Sequence, residues 1–201
     1  MTELQSSGAL HSLELSGAES DEERLRRIKL VLREADQHSA LAVTGSFEGS
    51  VTDVEAYGEL ISLLLEAPLP IFALPLGPVG PRCLAFLLVA DRVILGQDAS
   101  MTGNWRESPG IAAILHHRFG PLPARRLLFE PSPDPVARLI ECGLAARSTD
   151  PLADTRKIAE SLTGDFGRRL KRTLRASAEL PLREALIFDL WFARDQQASV
   201  S

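Results

Sequence analysis

The residues best suited to chemistry stand in two stretches of the chain. The first, PLGPVGPRCLAFLLVADRVI at residues 75–94, sets a turn of glycines and prolines, Gly77-Pro78-Val79-Gly80-Pro81, directly before an apolar helix. The first N–H groups of a helix have no partner within it, and with the helix dipole they attract negative charge. The second stretch, IAAILHHRFG, carries His116 and His117. An imidazole titrates near neutrality and can serve as acid or base. Neighbours on a helix point about 100° apart, so at most one of the pair faces a given pocket, and a packed or exposed histidine is the ordinary alternative. Cys83 and Cys142 lie inside apolar runs, which suits reduced, buried thiols more than a disulfide or a nucleophile. No Cys/His/acid spacing predicts a metal site, and the chain has neither a phosphate loop nor a dinucleotide fingerprint.

The elements that must position these groups follow from periodicity. LHSLEL alternates like a half-buried strand. SDEERLRRIKLVLREAD then predicts a helix capped by Ser20 or Asp21, with acids in its first turn and an apolar face of Leu25, Ile28, Leu32 and Ala35. ALAVTG reads as a buried strand stopped by Gly45, SFEGSVTD as a polar turn, and VEAYGELISLLLEAP as a helix ended before Pro68. IFALPL and RVIL are further buried strands, with a helix over about 81–90 between them. After a loop, QDASMTGNWRESPG, come helices at IAAILHHRFG, PARRLLFE and DPVARLIECG, the last ended by Gly143, and then an extended LAAR. The last fifty residues read as two helices, with Gly164 and Gly167 near their junction and Pro181 opening the final one. Apolar strands alternating with helices predict an α/β fold with a parallel sheet covered by helices.

At 201 residues the chain is long enough for one domain with a real core, and its net charge of −5 gives no basic footprint for nucleic acid. Arg168, Arg169, Arg172 and Arg175 share a helix with Asp165 and Glu179 and read as a solvated face. Apolar runs are interrupted too often for a membrane span, and with no signal peptide the expectation is a cytoplasmic protein.

Four stretches in order resemble the crotonase (enoyl-CoA hydratase/isomerase) superfamily, over about residues 10–195. LAVTGSFEGSVTDV is similar to that family's strand and GxxxxFxxGxD turn. PIFALPLGPVGPRCLAFLLVADRVI is similar to its PxxAxxxGxxxGGGxxLxxxxDxxI stretch. ASMTGNWRESPGIAAILHHRFG and RRLLFEPSPDPVARLIECGLA match two later motifs. The resemblance implies a crotonase-like spiral of ββα units over 10–150 after a flexible segment at 1–9. It also implies a C-terminal helical trimerisation region at 151–201, and a homo-trimer or hexamer. It implies an acyl thioester substrate, on coenzyme A or on carrier-protein phosphopantetheine, with no further cofactor. Two backbone N–H groups would stabilise the thioester enolate, a form of stabilisation that commonly contributes most of the rate enhancement in such chemistry. By position they are those of Thr52 and Arg82, with Val51, Ala85, Asn104 and Trp105 lining the substrate. Pro81, beside Arg82, has no N–H, so a one-residue shift of register would delete half of the hole.

The sequence departs from that pattern where the hydratases carry two glutamates. The first position is Ala85 and the second is about Trp105, and neither transfers a proton. Glu107, two residues on, is a candidate acid or base, with a solvated loop charge as its alternative. His116 is the second candidate, although in the family this helix packs behind the site. Asn104 would orient a thioester or simply serve a turn. The segment from Asp53 to Glu66 is trimmed, which suits a carrier-bound substrate or none, and resembles members of polyketide and non-ribosomal peptide pathways. Two functions are therefore expected. One is decarboxylation or double-bond isomerisation of an acyl thioester through the oxyanion hole. The other is a catalytically inactive subunit that supports a polyketide synthase-type partner, with Trp105 and Arg82 filling the pocket.

Overall fold

The computed structural model describes residues 6–7, 10–34, 39–130, 132, 134–162, 165–181, 184 and 187. Six strands form one sheet in the order β1 to β6: Ser6–Ser7, Leu10–Leu15, Ala40–Phe47, Ile71–Val79, Arg92–Leu95 and Ala146–Arg147. β1 runs antiparallel to β2, so part of the segment expected to be loose at the N-terminus pairs with the sheet. All later neighbours are parallel. Among the described residues the helices that accompany them are α1 Asp21–Arg33, α2 Val54–Glu66, α3 Pro81–Val89, α4 Ile111–Phe119, α5 Pro121–Phe129, α6 Pro135–Glu141, α7 Pro151–Ser161 and α8 Phe166–Glu179.

Period-two alternation splits the strands between two cores. Leu13, Leu41, Val43, Ile71 and Ala73 face α1, α2 and α3, while Ala40, Ala42, Phe72 and Leu74 face Ala159 of α7. α3 is buried all round, every residue from Arg82 to Val89. One side of α3 meets the sheet, and the other, Leu84 and Leu88, meets Trp105, Ile111 and Leu115 in a third cluster. A helix apolar from Cys83 to Val89 therefore becomes the central post of the molecule. On α1, Ser20 forms a reciprocal capping box with Glu23. Its buried face is Leu25, Ile28 and Val31 with Leu32 half-buried; Ala35 lies outside the described residues.

Three expectations are corrected here. Gly45 does not stop β3: at φ +97° it makes a bulge, and the strand runs on to Phe47, which pairs with Val79. A Cβ at Gly45 would lie 2.2 Å from the Leu15 carbonyl oxygen, so the close approach of β2 requires glycine. Gly77 and Pro78 are not a turn: β4 continues through Val79, fixed by the Phe47 pairing and by the Val79 N–H bond to the Ser100 carbonyl (2.8 Å), and only Gly80 separates it from α3. Nor is the arginine cluster on α8 wholly solvated. Arg168 is buried and Arg169 half-buried, while Arg172 and Arg175 are exposed. Pro181 lies beyond α8, which begins at Phe166; of the segment after it only Glu184 and Ile187 are described, both helical, and Gly164 lies outside the described residues. No helix among the described residues is long and apolar enough to cross a membrane.

Candidate functional site

The expected site lies where the turn after β3 meets the start of α3. Here the chain closes on itself. The Gly80 N–H donates to the Phe47 carbonyl (2.8 Å), and the Arg82 N–H donates to the Gly49 carbonyl (3.0 Å). A Cβ on Gly80 would stand 2.8 Å from both the N and the O of Gly49, so the two backbones touch. The Thr52 N–H donates to Asp21 Oδ2 (2.8 Å), which also accepts from the Thr52 hydroxyl (2.9 Å) and the Asp53 N–H (3.1 Å). The two N–H groups expected to share one oxyanion are thus bonded to two different acceptors of the chain itself.

Asp21 is the residue that sequence reasoning missed. It is 1% exposed, and its second oxygen accepts from Arg82 Nε at 2.7 Å. Arg82 Nη2 completes the clasp on the Glu19 carbonyl (2.7 Å). Burial by itself would raise the Asp21 carboxyl, but the Thr52 and Asp53 N–H groups, Arg82 and the Thr52 hydroxyl together hold it below its ordinary value. The one available signal was the capping box: Ser20 and Glu23 serve the α1 N-terminus between them, which leaves the Asp21 carboxylate for another use.

Behind this clasp, Arg24 donates to Cys83 Sγ (3.0 Å) and to the Ser16 carbonyl (2.9 Å). Burial raises the Cys83 thiol, and Arg24 and Arg82 only partly offset it, so the group is a protonated thiol rather than a nucleophile. Burial also raises the Tyr57 phenol. The void that Asp21, Arg24, Tyr57, Arg82 and Cys83 line is about 10 Å³. That is the space of a single water and cannot admit an acyl group.

The remaining candidates fall apart from one another. Ala85 is fully buried, and its N–H donates to the Ser108 hydroxyl (3.1 Å). Trp105 is buried in the α3–α4 cluster rather than lining an open pocket, with Arg106 5.1 Å from its ring centre. Val51 is half-buried. Glu107 and Asn104 are exposed on one 3₁₀ turn, where Asn104 Nδ2 donates to the Glu107 carboxylate at 2.7 Å. His116 and His117 both face solvent on α4. Both cysteines are free, Cys83 buried and Cys142 half-buried. No group of three His, Cys, Asp or Glu side chains among the described residues could hold a metal ion.

Open space lies instead at the C-terminal ends of β2, β3 and β4, the usual ligand end of a parallel sheet. This crevice of about 580 Å³ is lined by Glu14, Ser16, Arg27, Ser46, Glu48 and Pro78 among others. Arg27 is already paired with Glu19, so Glu14 and Glu48, which pair with no cation among the described residues, dominate its charge and would oppose the phosphates of a nucleotide.

No family model matches the chain, and no curated protein is significantly similar to it. Solved structures do match. An enoyl-CoA hydratase from Polaromonas sp. JS666 superimposes with a TM-score of 0.76 at 18% identity, over 98% of this chain and 92% of that one. One from Bacillus anthracis gives 0.75 at 15%, over 93% and 86%, and one from Thermoplasma volcanium GSS1 gives 0.74 at 17%, over 95% and 90%. At these identities the likeness is one of architecture, and it covers nearly the whole of both chains: this protein has the crotonase fold.

Proposed function

We propose that this chain is a crotonase-fold subunit that performs no thioester-enolate chemistry and works by supporting a biosynthetic partner of the polyketide synthase type. The observation that carries this reading is the closure of the expected oxyanion hole, with the Thr52 N–H on Asp21 and the Arg82 N–H on Gly49. Stabilising an enolate requires donors aimed at the oxyanion and otherwise unengaged. Decarboxylation or isomerisation would need Asp21 to leave, exposing Arg82 unpaired, and Glu107 as a base would have to travel from an exposed turn. The segment from Asp53 to Glu66 is consistent with this reading, since the sequence resemblance implies that it is trimmed where the family would help bind coenzyme A.

Self-assembly needs an exposed apolar surface. On α8, Phe166, Leu170 and Leu174 recur at four-residue spacing and are all exposed, while Lys171 on the adjoining face anchors the helix to Asp91 (2.8 Å) and to the Leu69 carbonyl (3.1 Å). Such an apolar stripe on a well-anchored helix suits a second copy of this chain, as in a homo-trimer or hexamer.

The test is a panel of acyl thioesters, on coenzyme A and on phosphopantetheine-loaded carrier protein, followed by mass spectrometry. The expected result is no mass change and no saturable binding. Loss of carbon dioxide or a shifted double bond, abolished by Glu107→Ala, would overturn the reading. Sedimentation of Leu170→Asp/Leu174→Asp tests the surface: assembly should be lost, and an unchanged sedimentation coefficient would refute it.

A further inference from the structure

We propose that a second pocket, at the N-terminal end of β5, binds a small oxyanion of the phosphate class. It lies at the opposite end of the sheet from the strand-end crevice, between the end of α3, the start of β5, the end of α4 and residues 143–146. Its volume is about 150 Å³, well above the roughly 10–15 Å³ that one water requires and too small for a nucleoside. The anionic head would sit inside, and any ester group would leave through the mouth.

The chemistry of the lining selects the ligand. Arg118 is held by two bonds from Nη1, to the Leu88 carbonyl (2.8 Å) and the Ala90 carbonyl (3.0 Å), and its guanidinium carbon lies 5.8 Å from the Phe119 ring centre. The rest of its donor fork has no protein acceptor among the described residues. A fixed guanidinium with spare N–H groups matches the paired oxygens of an oxyanion. Arg92 lines the same pocket, is exposed, and pairs with no acid among the described residues. The one carboxylate there, Asp91, is already committed: its Oδ2 accepts from the Ile71 N–H (2.8 Å) and pairs with Lys171 (2.8 Å). Two cations, Arg92 and Arg118, therefore line the pocket beside one carboxylate that Lys171 already pairs from outside it, in a chain whose net charge is −5. Asp91 lies in the field of both Lys171 and Arg118, and a bound oxyanion would satisfy the N–H groups that Arg118 and Arg92 leave open. None of these residues belongs to the β3–α3 site, so this inference stands independently of the reading above.

The experiment is calorimetric titration of the full chain with sodium phosphate, sulfate and glycerol 2-phosphate, against sodium chloride at matched ionic strength. Phosphate should bind saturably at one site while chloride gives only dilution heats. Tighter binding of the glycerol ester would identify a phosphate monoester as the ligand, and equal binding would identify free phosphate. Arg92→Gln removes an exposed side chain with no acidic partner among the described residues, so it should melt at the parental temperature and bind about tenfold more weakly, the equivalent of one lost charge-assisted hydrogen bond. Arg118→Gln should abolish binding; should that variant unfold, Arg92→Gln decides alone. The proposal is overturned by no saturable binding of phosphate or sulfate, or by unchanged affinity in Arg92→Gln.

Discussion

Replacing Asp21 with asparagine tests the central element of the structure. The carboxylate accepts four hydrogen bonds, from the Thr52 N–H and hydroxyl, the Asp53 N–H and Arg82 Nε. Asparagine keeps the shape but removes the charge that balances Arg82, whose side chain is 6% exposed. Removing one member of a buried pair costs about 3–5 kcal/mol, because the other charge is left uncompensated. Against a total stability of roughly 5–15 kcal/mol the loss is large, and for a domain of this size it lowers the melting temperature by about 6–20 °C. Urea unfolding of Asp21→Asn, Arg82→Met and the double variant measures it. The double variant should be less destabilised than the sum of the singles, since removing both charges leaves neither stranded. The effect should also depend on pH. Folding holds the Asp21 carboxyl below its ordinary 3.8, so its contribution is present in full above about pH 4 and is lost as pH falls through the folded value. The gap between parent and Asp21→Asn should therefore narrow in acid. A loss below about 1 kcal/mol at neutral pH, the range of an exposed pair, would refute the clasp.

Gly80→Ala forces a Cβ to within 2.8 Å of the Gly49 backbone and should destabilise by about 1–3 kcal/mol, as overpacking does, read by the denaturation midpoint. Trp105→Ala empties part of the α3–α4 cluster and should cost about 3–5 kcal/mol, whereas a residue lining an open substrate pocket would cost far less. Glu107→Gln and His116→Gln alter exposed side chains and should each shift stability by no more than about 0.5 kcal/mol, with a melting curve superimposable on the parent.

Local signals were legible because they act within a turn or two of chain. A polar cap at Ser20 or Asp21 and acids in the first turn marked the start of α1, alternation in LHSLEL marked a half-buried strand, and the apolar run that follows Pro81-Arg82 marked the helix α3. Order and spacing of four motifs carried the fold. The state of the site was not legible, because it depends on partners far away in sequence. Asp21 reaches Thr52 and Arg82 across 31 and 61 positions, and no pattern near residue 21 shows where its carboxylate goes once Ser20 and Glu23 cap the helix. Gly45 continues a strand because β2 presses against it, and Arg168 is buried by what its helix packs against, facts of packing rather than of propensity. The sequence alone determined which backbone N–H groups stand near the start of α3; only the tertiary structure decided that they are already satisfied, since a donor's fate rests on which acceptor the folded chain brings within about 3 Å of it.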